Sequence, residues 1–275
     1  MWFTKVSILT FFIFLVASSA YAQEVTINKL DETTIPNSEN LIYYPESLVE
    51  RPLVLPQKLV EIKGTTEYRQ LSRSIRGLDF KAKARIGILE NLEAELETSI
   101  LPLNYLEQEQ GTTEVFVKDG FAFGGVTAGA TYSVIEESDT IPEIAGSVRL
   151  GFAGTGPLSL TNGSTFIVLP SITAKKIIDP RFAIDGNLIL GFGNNGSGLY
   201  ELRGGGVLRP FEQLDVTGHV SLEGVGFRET ATLSIIPGIM YHLSNKVDIQ
   251  GGFRIGLVGG EAIGNNVTVG IATRF

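Results

Sequence analysis

From about Leu55 to its last residue the chain alternates apolar residues with small or polar ones, the period of a strand with two unlike faces. The closing segment shows this best. Val267, Val269, Ile271, Thr273 and Phe275 alternate with Thr268, Gly270, Ala272 and Arg274. Side chains two apart share one face of a strand, so the first set forms an apolar face and the second a small or polar one. The pattern recurs upstream. Val247, Ile249, Phe253, Ile255 and Leu257 oppose Lys246, Asp248, Gln250 and Arg254. Leu233, Ile235, Ile239, Tyr241 and Leu243 oppose Thr232, Ser234, Gly238 and His242. Leu214, Val216, Val220 and Leu222 oppose Asp215, Thr217, His219, Ser221 and Glu223.

A soluble sandwich alternates too, and three further features separate the two. Full charges sit in mid-strand on the polar face, where an aqueous or side-chain-filled lumen accommodates them. Segments recur about every 15–20 residues with no helical pattern between them, the spacing of up-and-down hairpins. Connections alternate between tight turns and longer links. The tight ones fall at Leu89-Glu90-Asn91, Asp179-Pro180, Pro210 to Gln213 and Ser244-Asn245-Lys246, and the longer ones near 103–119 and 153–163. Counting from Gln57 gives about twelve strands, an even number that returns the C-terminus to the N-terminal side. The expected fold is an all-β transmembrane antiparallel up-and-down β-barrel. Tyr132, Phe182, Tyr241 and Phe275 take the outward parity near one rim, where interfacial aromatics belong.

Composition agrees. Gly is high at 32, Cys is absent, and 19% of residues are charged. Without Cys there is no disulfide framework, thiolate metal site or cysteine nucleophile. A net charge of -8 supplies no basic footprint for nucleic acid. At the N-terminus, Lys5, the apolar run Val6 to Val16 and the small-x-small Ala20-Tyr21-Ala22 read as a cleaved signal peptide over residues 1–22. The run is shorter than the roughly 20 residues of a spanning helix. Residues 23–55 are polar and Pro-punctuated and read as a periplasmic extension, with the alternative that part of them folds into the lumen as a plug. The barrel is expected over 56–275, in the bacterial outer membrane.

Three stretches carry a family resemblance, which covers about residues 51–275. The terminal Phe275, with alternating apolar residues behind it, resembles the C-terminal strand signature that the barrel-assembly machinery reads in bacterial outer-membrane proteins. Arg51-Pro52-Leu53-Val54-Leu55-Pro56, followed by Leu59-Val60-Glu61-Ile62, resembles the opening of the phenol-degradation meta-pathway (transporter-like) outer-membrane family. The mid-chain stretch Pro170 to Pro180 is similar to that family's hairpin, which turns at Asp-Pro. The chain departs from the pattern at Lys58, where Gly is common, and at Ile178, where a small polar residue is usual. The resemblance implies a channel-like role, outer-membrane lipid and the assembly machinery as partners, and no catalytic residues or cofactors.

The densest polar constellation lies early in the barrel. Lys81, Lys83 and Arg85 alternate with small or apolar residues, as do Glu93, Glu95 and Glu97. A hairpin folded about Leu89-Glu90 is expected to set Lys83 opposite Glu95, Arg85 near Glu93 and Lys81 near Glu97. Cross-strand pairs of this kind contribute roughly 0.2–1 kcal/mol each. They read either as a transverse field lining a pore or as an ion-pair ladder that fills the lumen. Glu61, Lys63, Glu67 and Arg69 should share that face, and Arg149, Asp185, Glu201, Arg203, Glu223 and Arg254 are further lumen candidates by parity. With both signs mixed, little ion selectivity is expected. His219 and His242 face the lumen, yet no Ser-His-acid grouping follows in sequence. The formal G-x-G-x-x-G at Gly191 to Gly196 precedes another strand rather than a helix and reads as a hairpin tip. Two separated histidines without Cys form no recognisable metal site. The expectation is a non-enzymatic barrel that passes small solutes, against the alternative of a closed structural or partner-binding barrel.

Overall fold

The computed structural model describes residues 44–70, 75–106, 122–153, 166–194, 196, 198–225, 231–258 and 265–275. The expected signal peptide and residues 23–43 of the extension lie outside them. Twelve strands follow one another: β1 (Val60–Gln70), β2 (Ile75–Leu89), β3 (Leu92–Leu106), β4 (Ala122–Ile135), β5 (Glu143–Ala153) and β6 (Phe166–Asp179). They continue as β7 (Phe182–Gly193), β8 (Gly198–Phe211), β9 (Leu214–Val225), β10 (Thr232–Ser244), β11 (Val247–Val258) and β12 (Asn266–Arg274). Each pairs antiparallel with its sequence neighbours, and β1 pairs with β12, so the sheet closes on itself. Closure removes both edges and satisfies the backbone groups that lipid could not. At 9 to 15 residues, the strands meet the roughly 9–11 that a tilted membrane strand requires.

The alternation resolves into an outside and an inside. Exposed large hydrophobics recur at every second position around the ring, among them Ile62, Leu96, Val148, Ile172, Leu202, Ile239, Phe253 and Val269. A continuous apolar exterior of this extent is the surface of a barrel embedded in lipid. Tyr132, Tyr241 and Phe275 are exposed near the short-turn rim, as the alternation predicts. The Tyr132 hydroxyl accepts from Asn91 at 2.9 Å, and the Tyr241 hydroxyl donates to Gln213 at 2.9 Å. Each ring is thereby tied to a turn residue, with its polar tip toward water and its body toward lipid.

The tight turns fall where the sequence places them. Glu90–Asn91 joins β2 to β3, Pro180–Arg181 joins β6 to β7, and Asn245–Lys246 joins β10 to β11. At the second of these, the Asp179 carboxylate accepts the Arg181 amide at 2.7 Å, a side-chain turn that Asp favours. The register of the β2–β3 hairpin differs from the expected one. An irregularity between Gly87 and Leu89 and a turn centred one residue later place Lys83 across from Glu97 and Arg85 across from Glu95. A single extra residue at a turn is enough to cause this slip, and alternation alone does not show it.

The chain enters β1 through a strained residue. Lys58 has φ 71°, the left-handed region, while its amide donates to Gly87 O at 2.8 Å. Gly87 is equally constrained: a Cβ there would lie 1.9 Å from Pro56 O, so the incoming backbone rests directly on it. At the far end, Phe275 and Val60 exchange both backbone hydrogen bonds, at 3.0 and 3.2 Å, and complete the seam.

A left-handed non-Gly residue costs about 1–2 kcal/mol, part of which Gly returns through its looser unfolded chain. Lys58→Gly should therefore stabilise the barrel by roughly 0.5–1 kcal/mol. Urea unfolding in lipid or detergent would measure it, and an unchanged midpoint would mean that the conformation carries no strain.

Candidate functional site: the barrel lumen

Inward parity gathers charge on one wall. Lys83 meets Glu95 at 2.5 Å and Arg85 meets Glu93 at 2.7 Å, diagonally across the hairpin rather than between residues in register. Lys81 does not reach toward Glu97 as expected. It turns to β1 and pairs with Glu67 at 2.7 Å, with Asp79 at 3.8 Å. Glu61 joins β1 to both neighbours, accepting from Arg85 at 3.2 Å and from Arg274 at 2.9 Å. Lys63 stands in register with Lys83 on the same wall. Further round, Arg254 pairs with Glu223 at 2.5 Å and with Glu201 at 3.7 Å, while His219 lies 3.0 Å from Asp185. Arg203 stands in register with Asn187 and Ser221, and its Nε has no hydrogen-bond partner among the described residues.

Two of these contacts skip a strand by passing over glycine. Glu95 on β3 and Arg149 on β5 flank Gly129 on β4 and approach to 3.7 Å across it. A Cβ on Gly129 would lie 2.5 Å from Arg149 Cγ. Likewise, Asp185 on β7 and His219 on β9 meet over Gly205 on β8, where a Cβ would stand 2.6 Å from the imidazole. Glycine at these two sites supplies room for a side chain from the next strand.

The short-turn end is closed differently. Residues 44–55, which the sequence groups with the extension, form one compact unit with the strands. The amides of Leu53 and Leu55 donate to Glu143 on β5 and Glu93 on β3, both at 2.9 Å. Leu48 N donates to Asp215 on β9 at 2.6 Å, and Arg51 pairs with Asp248 on β11 at 2.8 Å. Only a segment inside the ring can touch inward side chains from such separated strands.

Ser47 to Arg51 makes one hydrogen-bonded turn, with Glu50 N and Arg51 N both donating to Ser47 O at 3.1 Å. Asp215 holds its amide end. Lys175 on β6 holds its carbonyl end, donating to Leu48 O at 2.7 Å and Arg51 O at 2.5 Å. Opposite charges thus match the two ends of the turn's dipole. Val49 is buried against Ala183 and Val207, and Tyr44 against Leu55 and Leu59. The guanidinium groups of Arg51 and Arg274 lie 5.4 and 5.1 Å from the Tyr44 ring centre, within cation–π range. Burial pushes the Tyr44 phenol above its ordinary value, against the lowering field of Arg51.

Beneath this segment runs a chain of ion pairs through consecutive strands. Asp215 on β9 meets His242 on β10 at 3.0 Å, and His242 meets Asp248 on β11 at 2.7 Å. Asp248 also pairs with Arg274 on β12, which passes the chain to Glu61, Arg85 and Glu93 on β1, β2 and β3. Burial varies along the lumen. His242, Asp215 and Asp248 are 0–1% exposed, whereas Lys83, Arg149 and Arg254 keep 22–26%. The mid-barrel cations are therefore only partly buried, while the short-turn end is packed.

Parity places Asp215, His242, Asp248 and Arg274 on the inner face, yet their convergence depends on closure and on a segment without periodicity. Nothing in the sequence singles out Lys175 or Glu143 for this role. Ser47 Oγ donates to Asp215 at 3.1 Å rather than to His242, so the group is not a nucleophile–base arrangement. Among the described residues, no His, Cys, Asp and Glu cluster could hold a metal ion.

No family model matches the chain, and no curated protein matches it. Solved structures share its fold. An outer membrane channel from Pseudomonas putida F1 superposes with TM-score 0.61 at 10% identity, covering 81% of this chain and 97% of its own. The KdgM porin gives 0.56 at 10% identity over 78% and 99%, and the NanC porin 0.53 at 9% over 77% and 98%.

Arg85 compensates both Glu61 and Glu93, so Arg85→Met should lower stability by about 3 kcal/mol, the scale for stranding a buried charge. Adding Glu93→Gln should restore part of that loss in the same unfolding assay. A double variant as unstable as the sum of both singles would mean that the pair is not coupled.

Proposed function

We propose that the chain is an outer-membrane channel for passive or facilitated passage of small solutes, narrowed at its short-turn end by residues 44–55. The observation that carries this is the contrast between an apolar exterior and a charged inner wall whose mid-barrel cations are only partly buried. Similarity of fold to proteins described as porins and outer membrane channels supports the reading. The R-P-L-V-L-P opening supports a place near the phenol-degradation meta-pathway family and leaves the solute unspecified. Cations and anions are interleaved along the wall, which favours weak ion selectivity. The interacting partners are outer-membrane lipid, the assembly machinery during biogenesis and the permeating solutes, with no cofactor.

A second reading is a structural barrel that does not conduct, and the close seat of residues 44–55 favours it. Single-channel recording in planar bilayers separates the two. The full chain should give small, steady openings of low selectivity, and removing residues 23–55 should enlarge them. Silence in both forms, with folding verified by heat-modifiable migration, would leave the closed barrel standing.

Phe275 serves the seam through its backbone and the membrane rim through its exposed ring. Deleting it should reduce the yield of heat-modifiable barrel in cells. Full yield would count against the C-terminal strand as an assembly signal.

A further inference from the structure

We infer that His242 is a proton-dependent fastener for the segment at residues 44–55, an inference that rests on the reading of that segment as the narrowing element. Both ring nitrogens face carboxylate oxygens: Nδ1 lies 2.7 Å from Asp248 Oδ1, and Nε2 lies 3.0 Å from Asp215 Oδ2. A neutral imidazole can donate from one nitrogen only. The imidazolium alone donates to both carboxylates at once, with the added strength of charged partners.

The surroundings make that proton consequential. Asp215 faces the ring from β9, Asp248 from β11, and Arg274 from β12, with Glu61 of β1 behind Arg274. From the segment come Arg51, Ser47 and the Tyr44 phenol. Asp215, Asp248 and Glu61 are thus set among His242, Arg51 and Arg274. The two aspartates differ in their support. Asp248 retains Arg51 and Arg274 if the ring loses its proton, whereas His242 is the ionic partner of Asp215 among the described residues.

Asp215 is also the group that holds the amide end of the Ser47–Arg51 turn. It accepts from Ser47 Oγ at 3.1 Å and from Leu48 N at 2.6 Å. Deprotonation would turn a ring lone pair toward a carboxylate and leave Asp215 charged, buried and without its cation. Such a group draws in water or moves to it. The amide end of the Ser47–Arg51 turn is then released, while Lys175 still holds the carbonyl end. The amide end of this turn is therefore fastened when His242 is charged and loosened as the medium becomes alkaline, while the contacts of Leu53, Leu55 and Arg51 remain.

The chain has no Cys, so single cysteines can report on the segment without interference. Val49→Cys places a thiol at a fully buried site, and Glu90→Cys on the exposed β2–β3 turn corrects for thiolate formation. Full-length protein in liposomes is treated with a maleimide from neutral pH to about pH 10, where free imidazole is neutral. The labelling rate at Val49→Cys relative to Glu90→Cys should rise roughly tenfold or more over that range. In a His242→Gln background it should already be high at neutral pH and change little.

A flat ratio in the parent background overturns the fastener, as does an equal rise from a low start in His242→Gln, which would assign the titration to another group. If His242→Gln does not fold, Asp215→Asn takes its place with the same expectation. Conductance of the same samples is read separately. Labelling that rises while conductance stays constant supports the fastener and sinks the narrowing role. Conductance that varies over a flat labelling ratio overturns the fastener and leaves the channel reading intact.

Discussion

Closing a sheet in lipid satisfies the backbone but creates an interior from which charged side chains cannot escape, and the arrangement of this lumen follows from that constraint. Lys83, Arg85, Arg149, Arg254 and Arg274 each lie within reach of a carboxylate on a neighbouring or next-but-one strand. At the short-turn end these contacts join into a line from Asp215 through His242, Asp248, Arg274, Glu61 and Arg85 to Glu93. Removing one member of such a line strands at least one other, which makes the members interdependent in a way that isolated surface pairs are not.

The segment before β1 completes this arrangement. Strand side chains that would otherwise end in solvent end on its amides and carbonyls: Asp215, Glu93 and Glu143 on N–H groups, and Lys175 on oxygens. A chain without regular secondary structure has backbone groups to satisfy, and a charged lumen wall has side chains to satisfy. Each supplies what the other lacks. Toward mid-barrel, the wall keeps its charges and packs them less tightly, which separates a densely filled end from a looser one within a single fold.

Much of the barrel was legible from the period of two. It placed Ile249, Phe253 and Val269 outward and Asp215, Asp248 and Arg254 inward, and the turn residues around Asp179, Gln213 and Asn245 marked the hairpins. What it missed has local or long-range causes. The slip that aligns Lys83 with Glu97 comes from one irregular residue near Ile88, which leaves the alternation on either side intact. The gathering of Asp215, His242 and Asp248 on Ser47 and Arg51 joins residues far apart in sequence, and Ser47 lies in a stretch with no pattern to read. The left-handed backbone of Lys58 is set by the turn into β1 rather than by any alternation, so the period of two does not show it.

The seam between Val60 and Phe275 joins the two ends of the barrel sequence, so it spans the longest loop that any strand pair must close. Loop closure disfavours such contacts until shorter ones have formed, and the hairpins between neighbours come first on that ground. A ribbon of eleven hairpin-linked pairs therefore precedes the ring. During that interval its charged face has no interior to occupy and two unpaired edges lie open to other chains. Timing thus joins geometry as a condition on this fold: the sheet must curl and close before its inner face meets lipid or another sheet's edge.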